Sequence, residues 1–182
     1  FLNKHMRKIV VTGASGQLGW ELSQLASSFP QYEMIFTDRS KLDLSQPNTL
    51  AAVINEIAPD AIINTAAYTA VDKAEQEKEL AFAVNTLAVK EMAEYCVAYQ
   101  KVLMHFSTDY VFDGNKTTPY LESDICNPLS TYGKSKFAGE LAIMESFSNK
   151  LDQQKGSFYI LRTSWVYGEG NNFIRTILRL AK

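Results

Sequence analysis

Short apolar runs rich in β-branched residues alternate along this chain with longer stretches whose apolar residues recur every three or four positions. The short runs predict strands and the longer ones amphipathic helices. Strands are expected at 7–13 (RKIVVTG), 33–38 (EMIFTD), 61–67 (AIINTAA), 102–108 (VLMHFST) and 157–165 (SFYILRTSW). Helices are expected at 16–29, with Leu18, Leu22 and Leu25 on one face, and at 45–60, with Pro47 in the first turn, where a missing N–H costs nothing. A third helix at 79–99 aligns Leu80, Val84 and Leu87. A fourth, from about Ser130 to Phe147, points Phe137, Leu141 and Met144 at a core, and the helix of 171–182 aligns Phe173, Ile177 and Leu180. Strand and helix follow one another throughout. That order predicts an α/β fold: a doubly wound parallel sheet in three layers, with helices on both faces.

Composition narrows the classes. The 182 residues are 46% hydrophobic and 21% charged, enough for a full core. A net charge of −2 offers no electrostatic attraction to nucleic acid or an anionic membrane, so neither is an expected partner. Cys96 and Cys126 share no metal-ligand spacing and read as free thiols of a reducing, cytoplasmic compartment. No apolar stretch is long enough to span a bilayer, and residues 1–13 lack the features of a signal peptide. Met6 reads as the native start, with 1–5 a cloning remnant and 6–182 a single domain. The charge run 72–79 (DKAEQEKE) reads as a solvated helix face, and His105, inside an apolar strand, as a core histidine.

The first candidate site is TGASGQLG, residues 12–19, between the first strand and the first helix. Gly13, Gly16 and Gly19 permit a tight turn, close approach of a phosphate to the backbone, and close helix packing. With Ser15, Gln17 and Leu18 they would meet a pyrophosphate at the helix N-terminus, where N–H donors are free. This context predicts a Rossmann-like dinucleotide site. Asp38, at the end of the second strand, stands where an acid binds ribose hydroxyls, and its neighbour Arg39 can pair with a 2′-phosphate. The first favours NADH and the second NADPH, so both are expected as cofactors. Asp43, followed by Leu44, is read equally as an adenine contact or as part of a helix cap.

The second candidate site is STYGKSKFAGE, 130–140. Tyr132 and Lys136 are four apart on a helix and share a face. Ser107 and Thr108 end the fourth strand, and ligands of open parallel sheets bind beyond the carboxyl ends of the strands. A hydroxyl, a phenol and an ammonium thus converge where a nicotinamide would lie. Reducing a ketone takes a hydride from such a cofactor and a proton from an acid. A phenol is expected to serve if the neighbouring Lys136 lowers its pKa from about 10.

Glycine turn, acidic strand end, Ser-Thr strand end and YxxxK, in this order, resemble the extended short-chain dehydrogenase/reductase family. Within it, NTAAYTAVDKAE, STDYVFDG, YGKSKFAGE and RTSWVYGEGNNF are similar to members that act on dTDP-sugars. The resemblance runs from about Met6 to Lys182 and implies NAD(P)H-dependent reduction of the C4 keto group of dTDP-4-dehydro-6-deoxy-L-mannose to dTDP-L-rhamnose, for cell-surface polysaccharide. It implies Thr108, Tyr132 and Lys136 as the catalytic set, with Asn85 holding a water behind the lysine unless it merely lies on the outer helix face. Ala66, Ala67 and Tyr68 would lie along the cofactor. Thr69, Val71, Tyr110, Trp165 and Asn172 would meet the sugar nucleotide, Trp165 being read equally as a stacking face or a core aromatic. Glu21 matches a glutamate that some members use at a magnesium-linked homodimer. Members continue well past 182, so most of the substrate lobe is expected to be missing here. A sugar-nucleotide epimerase or dehydratase, and a catalytically silent NADP-binding regulatory subunit, are the other readings; the intact triad argues against the last.

Overall fold

The computed structural model describes residues 6–148, 156–168 and 173–181. Five strands form one sheet: β1 (Arg7–Thr12), β2 (Tyr32–Thr37), β3 (Ala61–Asn64), β4 (Val102–Thr108) and β5 (Ser157–Thr163). All neighbouring pairs are parallel, in the order β2-β1-β3-β4-β5. Parallel pairing needs a crossover between strands, and the helical stretches supply it. The helices are α1 (Gln17–Leu25), α2 (Pro47–Ile57), α3 (Val71–Ala74), α4 (Lys78–Phe82), α5 (Ala88–Ala98), α6 (Thr131–Ser148) and α7 (Phe173–Leu180). This is the expected Rossmann-like architecture. The strand order reverses between β1 and β3, so a crevice opens there beyond the carboxyl ends of the strands.

The core lies where α2, α5 and α6 cover the sheet. Leu50, Ile54, Ile62, Met92, Leu103 and Ile143 are fully buried in it. Pro47 occupies the first turn of α2, as its missing N–H permits.

Two helical faces differ from the periodicity reading. The stretch 78–98 is helical throughout, but Ala83–Leu87 is a π turn between α4 and α5. An extra residue per turn rotates everything after it, so Leu87 is half exposed while Ala88, Val89 and Met92 take the core side. On α6 the buried side is Tyr132, Ser135, Lys136, Gly139, Glu140 and Ile143, and Leu141 is exposed. Three of those buried residues are polar, so hydrophobic spacing selected the neighbouring face. Gly139 explains how close α6 comes: a Cβ there would lie 2.2 Å from the carbonyl oxygen of Asn85. On α7, Ile174, Ile177, Leu178 and Leu180 are exposed.

Candidate active site

The glycine turn abuts the end of β3. Gly13 has φ +70°, and a Cβ on it would lie 2.9 Å from the backbone of Ala66. A Cβ on Gly19 would lie 2.2 Å from the Gly13 carbonyl oxygen, so α1 sits directly on the turn. Gly16 caps α1 without any side-chain hydrogen bond, which leaves the helix N-terminus open to a ligand. Ser15 and Gly16 are exposed; Gln17 and Leu18 are half-buried. With its amide turned to satisfy both atoms, Gln17 donates to the Val166 carbonyl (3.2 Å) and accepts from Gly168 N–H (3.1 Å). Its side chain therefore ties α1 to the segment after β5.

Beyond β2, Asp38 is exposed and accepts from the N–H (2.9 Å) and hydroxyl (2.6 Å) of Ser40. The Ser40 hydroxyl chiefly, then its N–H, holds the carboxyl below the ordinary aspartate range. Asp43 accepts from the N–H (2.9 Å) and hydroxyl (2.7 Å) of Ser45 and meets Arg39 at 3.4 Å. It orders the turn ahead of α2, but the cap position belongs to Gln46. The Leu44 side chain lies in the core, so only its backbone can face a ligand.

The second site is built on the carboxyl end of β4 and the first turn of α6. Thr108 Oγ1 accepts from Tyr110 N–H (3.2 Å) and donates to Asp109 Oδ1 (3.1 Å). The Tyr132 phenol lies next to Thr108 as well. Its ring meets Tyr110 edge-on, with centroids 5.5 Å apart, and packs beside Ala74, Ala81, Tyr68 and Val71. Thr69 is exposed just upstream. Glu75 sets the start of α6 by accepting from Thr131 N–H (2.7 Å) and Thr131 Oγ1 (2.7 Å). The charge run is thus largely exposed, yet one of its carboxylates caps the helix that carries Tyr132.

Burial, more than any other cause, pushes the Tyr132 phenol above its ordinary value; Thr108 opposes this and Asp109 adds to it. The expectation that Lys136 lowers the phenol is therefore corrected. Lys136 is 2% exposed, and its Nζ turns to β4, donating to the Phe106 carbonyl at 2.6 Å and meeting His105 Nε2 at 3.3 Å. Burial pulls Lys136 down to about 8, against the opposing pull of Glu140. Ser107 Oγ, nearby on β4, is buried and has no hydrogen-bond partner.

For Asn85 the outer-face reading is removed, because the residue is 1% exposed. Its Oδ1 accepts from Tyr68 N–H (2.9 Å), and its Nδ2 donates to the Tyr68 carbonyl (3.0 Å) and Ser135 Oγ (3.0 Å). Both amide hydrogens are used within the protein. Asn85 ties the Ala66-Ala67-Tyr68 segment, half-buried after β3, to α6. Trp165, on the segment after β5, is 63% exposed with φ +51°, which removes the core reading. It stacks on Tyr167 at 6.5 Å. Asn172 lies outside the described residues.

A cleft of about 350 Å³ opens beside Thr108 and Tyr132, lined by Asp109, Tyr110, Phe112, Tyr120, Leu129 and Ser130. Sequence reading missed Phe112 and Tyr120, whose rings stack at 4.1 Å. The signal was a pair of aromatics flanking a Gly-Asn turn between two known motif segments. Glu21 lies against Gly168, and among the described residues no cluster of three or more metal-ligating side chains occurs. Nor is any described helix long and apolar enough to cross a membrane.

Known proteins are similar to this chain in sequence and fold. The chain is 43% identical over 178 residues to a dTDP-4-dehydrorhamnose reductase of Aggregatibacter actinomycetemcomitans, covering 97% of this chain and 58% of that protein. Crystal structures of a dTDP-4-dehydrorhamnose reductase from Clostridium acetobutylicum (40% identity, TM-score 0.84) and of one from Bacillus anthracis in complex with NADP (36%, 0.84) superpose on 95% and 96% of this chain. Each is matched over 59% of its own length. The chain spans less than two thirds of these relatives. The family model described as the RmlD substrate binding domain matches residues 6–182, and the chain belongs to that family.

Proposed function

We propose that residues 6–182 form the NAD(P)H-binding and proton-transfer part of a dTDP-4-dehydrorhamnose reductase, which reduces the C4 keto group of dTDP-4-dehydro-6-deoxy-L-mannose to give dTDP-L-rhamnose. The observation that carries this reading is a buried Tyr132 beside Thr108, with the buried Lys136 one turn further along α6, at the carboxyl end of β4 in a chain of this family.

The glycine turn and the uncapped N-terminus of α1 fit a pyrophosphate, and Ala66–Tyr68 border the crevice beside them. When bound, the reduced nicotinamide supplies the hydride. Thr108 holds the substrate carbonyl, and Tyr132 gives its phenolic proton to the oxygen. A donor must be protonated at the working pH, and burial of Tyr132 ensures that. The raised phenol therefore suits a reductase better than the lowered one expected from sequence. Tyr110, Val71 and Trp165, with Thr69 and Asn172, are assigned to the sugar nucleotide, and the cleft beside Tyr110 gives it room. Asp38 takes the adenosine ribose hydroxyls and Arg39 a 2′-phosphate, so NADH and NADPH are both accepted. Asp43 with Leu44 borders the adenine. A magnesium-linked homodimer would have Glu21 as its one ligand among the described residues; they do not make that site alone, and no step is assigned to it. A nucleotide-sugar reductase with free cysteines belongs in the cytoplasm.

The test is loss of NADPH absorbance on addition of dTDP-4-dehydro-6-deoxy-L-mannose. Consumption supports the reductase. NADPH binding without consumption in this chain, and again in a chain of the relatives' full length, would overturn it in favour of a silent binding subunit.

A further inference from the structure

Lys136 does not sit alone under Tyr132. Thr12 on β1, Asn64 on β3 and His105 on β4 are all fully buried and run in a line to it. Thr12 Oγ1 is 2.6 Å from Asn64 Oδ1, Asn64 Nδ2 is 3.0 Å from His105 Nδ1, and His105 Nε2 is 3.3 Å from Lys136 Nζ. Donor and acceptor roles along the line follow from its far end. Thr12 Oγ1 accepts from Ala66 N–H (3.3 Å) and donates its own hydrogen to Asn64 Oδ1. The Asn64 amide then presents N–H to His105, whose Nδ1 must be the lone pair. A neutral imidazole carries one proton, and here it lies on Nε2, facing the lysine. An ammonium presents only hydrogens to that N–H; an amine presents a lone pair.

We propose that Thr12, Asn64 and His105 form a one-way hydrogen-bond chain that directs an N–H at Lys136 and favours its amine form, making His105 a positioning residue for a lysine that exchanges protons. Burial, with the Lys136 charge second, keeps His105 neutral. Glu140, on the same helix as Lys136, opposes the amine form by favouring the charged lysine, although Arg162 of β5 engages it at 2.6 Å. Glu75, just after α3, is bonded to Thr131 and Asp109 acts on Tyr132, while Lys134 and Glu145 of α6 are exposed. The Lys136 amine keeps a donor for the Phe106 carbonyl (2.6 Å). Through this device, and resting on the reductase reading, Lys136 can lose and regain its charge near neutral pH on the helix that carries the proton donor, which a permanent cation cannot do.

The chain without cofactor serves for the test, so its result is independent of turnover. In ¹⁵N-histidine-labelled protein the only ring signals belong to His5 and His105. NMR across the ring couplings is expected to find His105 neutral, with its proton on Nε2. Thr12→Val removes the first donor, three links from the lysine and without a change of charge. It is expected to release the Asn64 amide, mix the His105 tautomers and raise the Lys136 midpoint, read at its ε-carbon, by about half a unit, a threefold change. A proton on His105 Nδ1 in the unmodified chain overturns the proposal, whether or not the variant folds. So does a folded Thr12→Val chain whose His105 and Lys136 signals are unmoved.

Discussion

Tyr132 is the residue on which the proposed chemistry turns. Tyr132→Phe keeps the ring beside Tyr110, Val71 and Ala74 and deletes only the proton donor. Its reductase rate should fall by roughly 10²–10⁴-fold, while NADPH affinity, read by fluorescence titration, stays within about twofold. His105 makes a separate prediction about stability. Its folded-state pKa lies well below 6.5, so under acid the unfolded chain binds a proton that the native one refuses. Stability is therefore intact above about pH 6.5 and declines as pH falls below it, by about 1.4 kcal/mol per pH unit. Urea titrations at pH 7 and pH 5.5 should show the loss in the wild type, and His105→Gln should flatten it. An equal pH dependence in both proteins would remove His105 as its source.

At the scale of elements, the site depends on how closely two helices approach. The π turn at Ala83–Leu87 turns Asn85 toward Tyr68 and Ser135, and Gly139 lets α6 come against it. Gly139→Ala would force a methyl group into the Asn85 carbonyl. We expect a loss of about 1–3 kcal/mol in chemical denaturation as α6 shifts outward. NADPH affinity should weaken with it, because Asn85 holds the segment that borders the crevice. A variant as stable as the wild type would show that the two backbones have room to spare.

Across the whole molecule, the strand ends and the glycine turn that border the crevice at β1 and β3 lie within this chain. The cofactor should therefore bind without the remaining length of the relatives. Ligand at about 100 times its dissociation constant adds about 2.7 kcal/mol of stability. For a domain of this size that raises Tm by roughly 5–10 °C. Differential scanning fluorimetry with NADPH and with NADH would give the order of preference, and a flat response to both would remove the cofactor assignment.

Strand–helix alternation, the glycine turn and the Tyr132–Lys136 spacing were legible because each is local: a period of two or of 3.6, a turn, a pair on one helix face. From them the sequence by itself determined the parallel sheet, the site's place at the strand ends and the family resemblance. Only the tertiary structure decided what each polar side chain faces. Leu87 and Leu141 left the core because a π turn and a polar buried face break the hydrophobic period. Asn85 became a tie between segments, Glu75 a helix cap, and Lys136 a partner of His105 rather than of the phenol. Those outcomes join residues 17 to 56 positions apart, and Thr12 meets Asn64 across 52. Burial then set their protonation, because the cost of keeping charge from water depends on what surrounds a group in the folded chain and not on its neighbours in sequence.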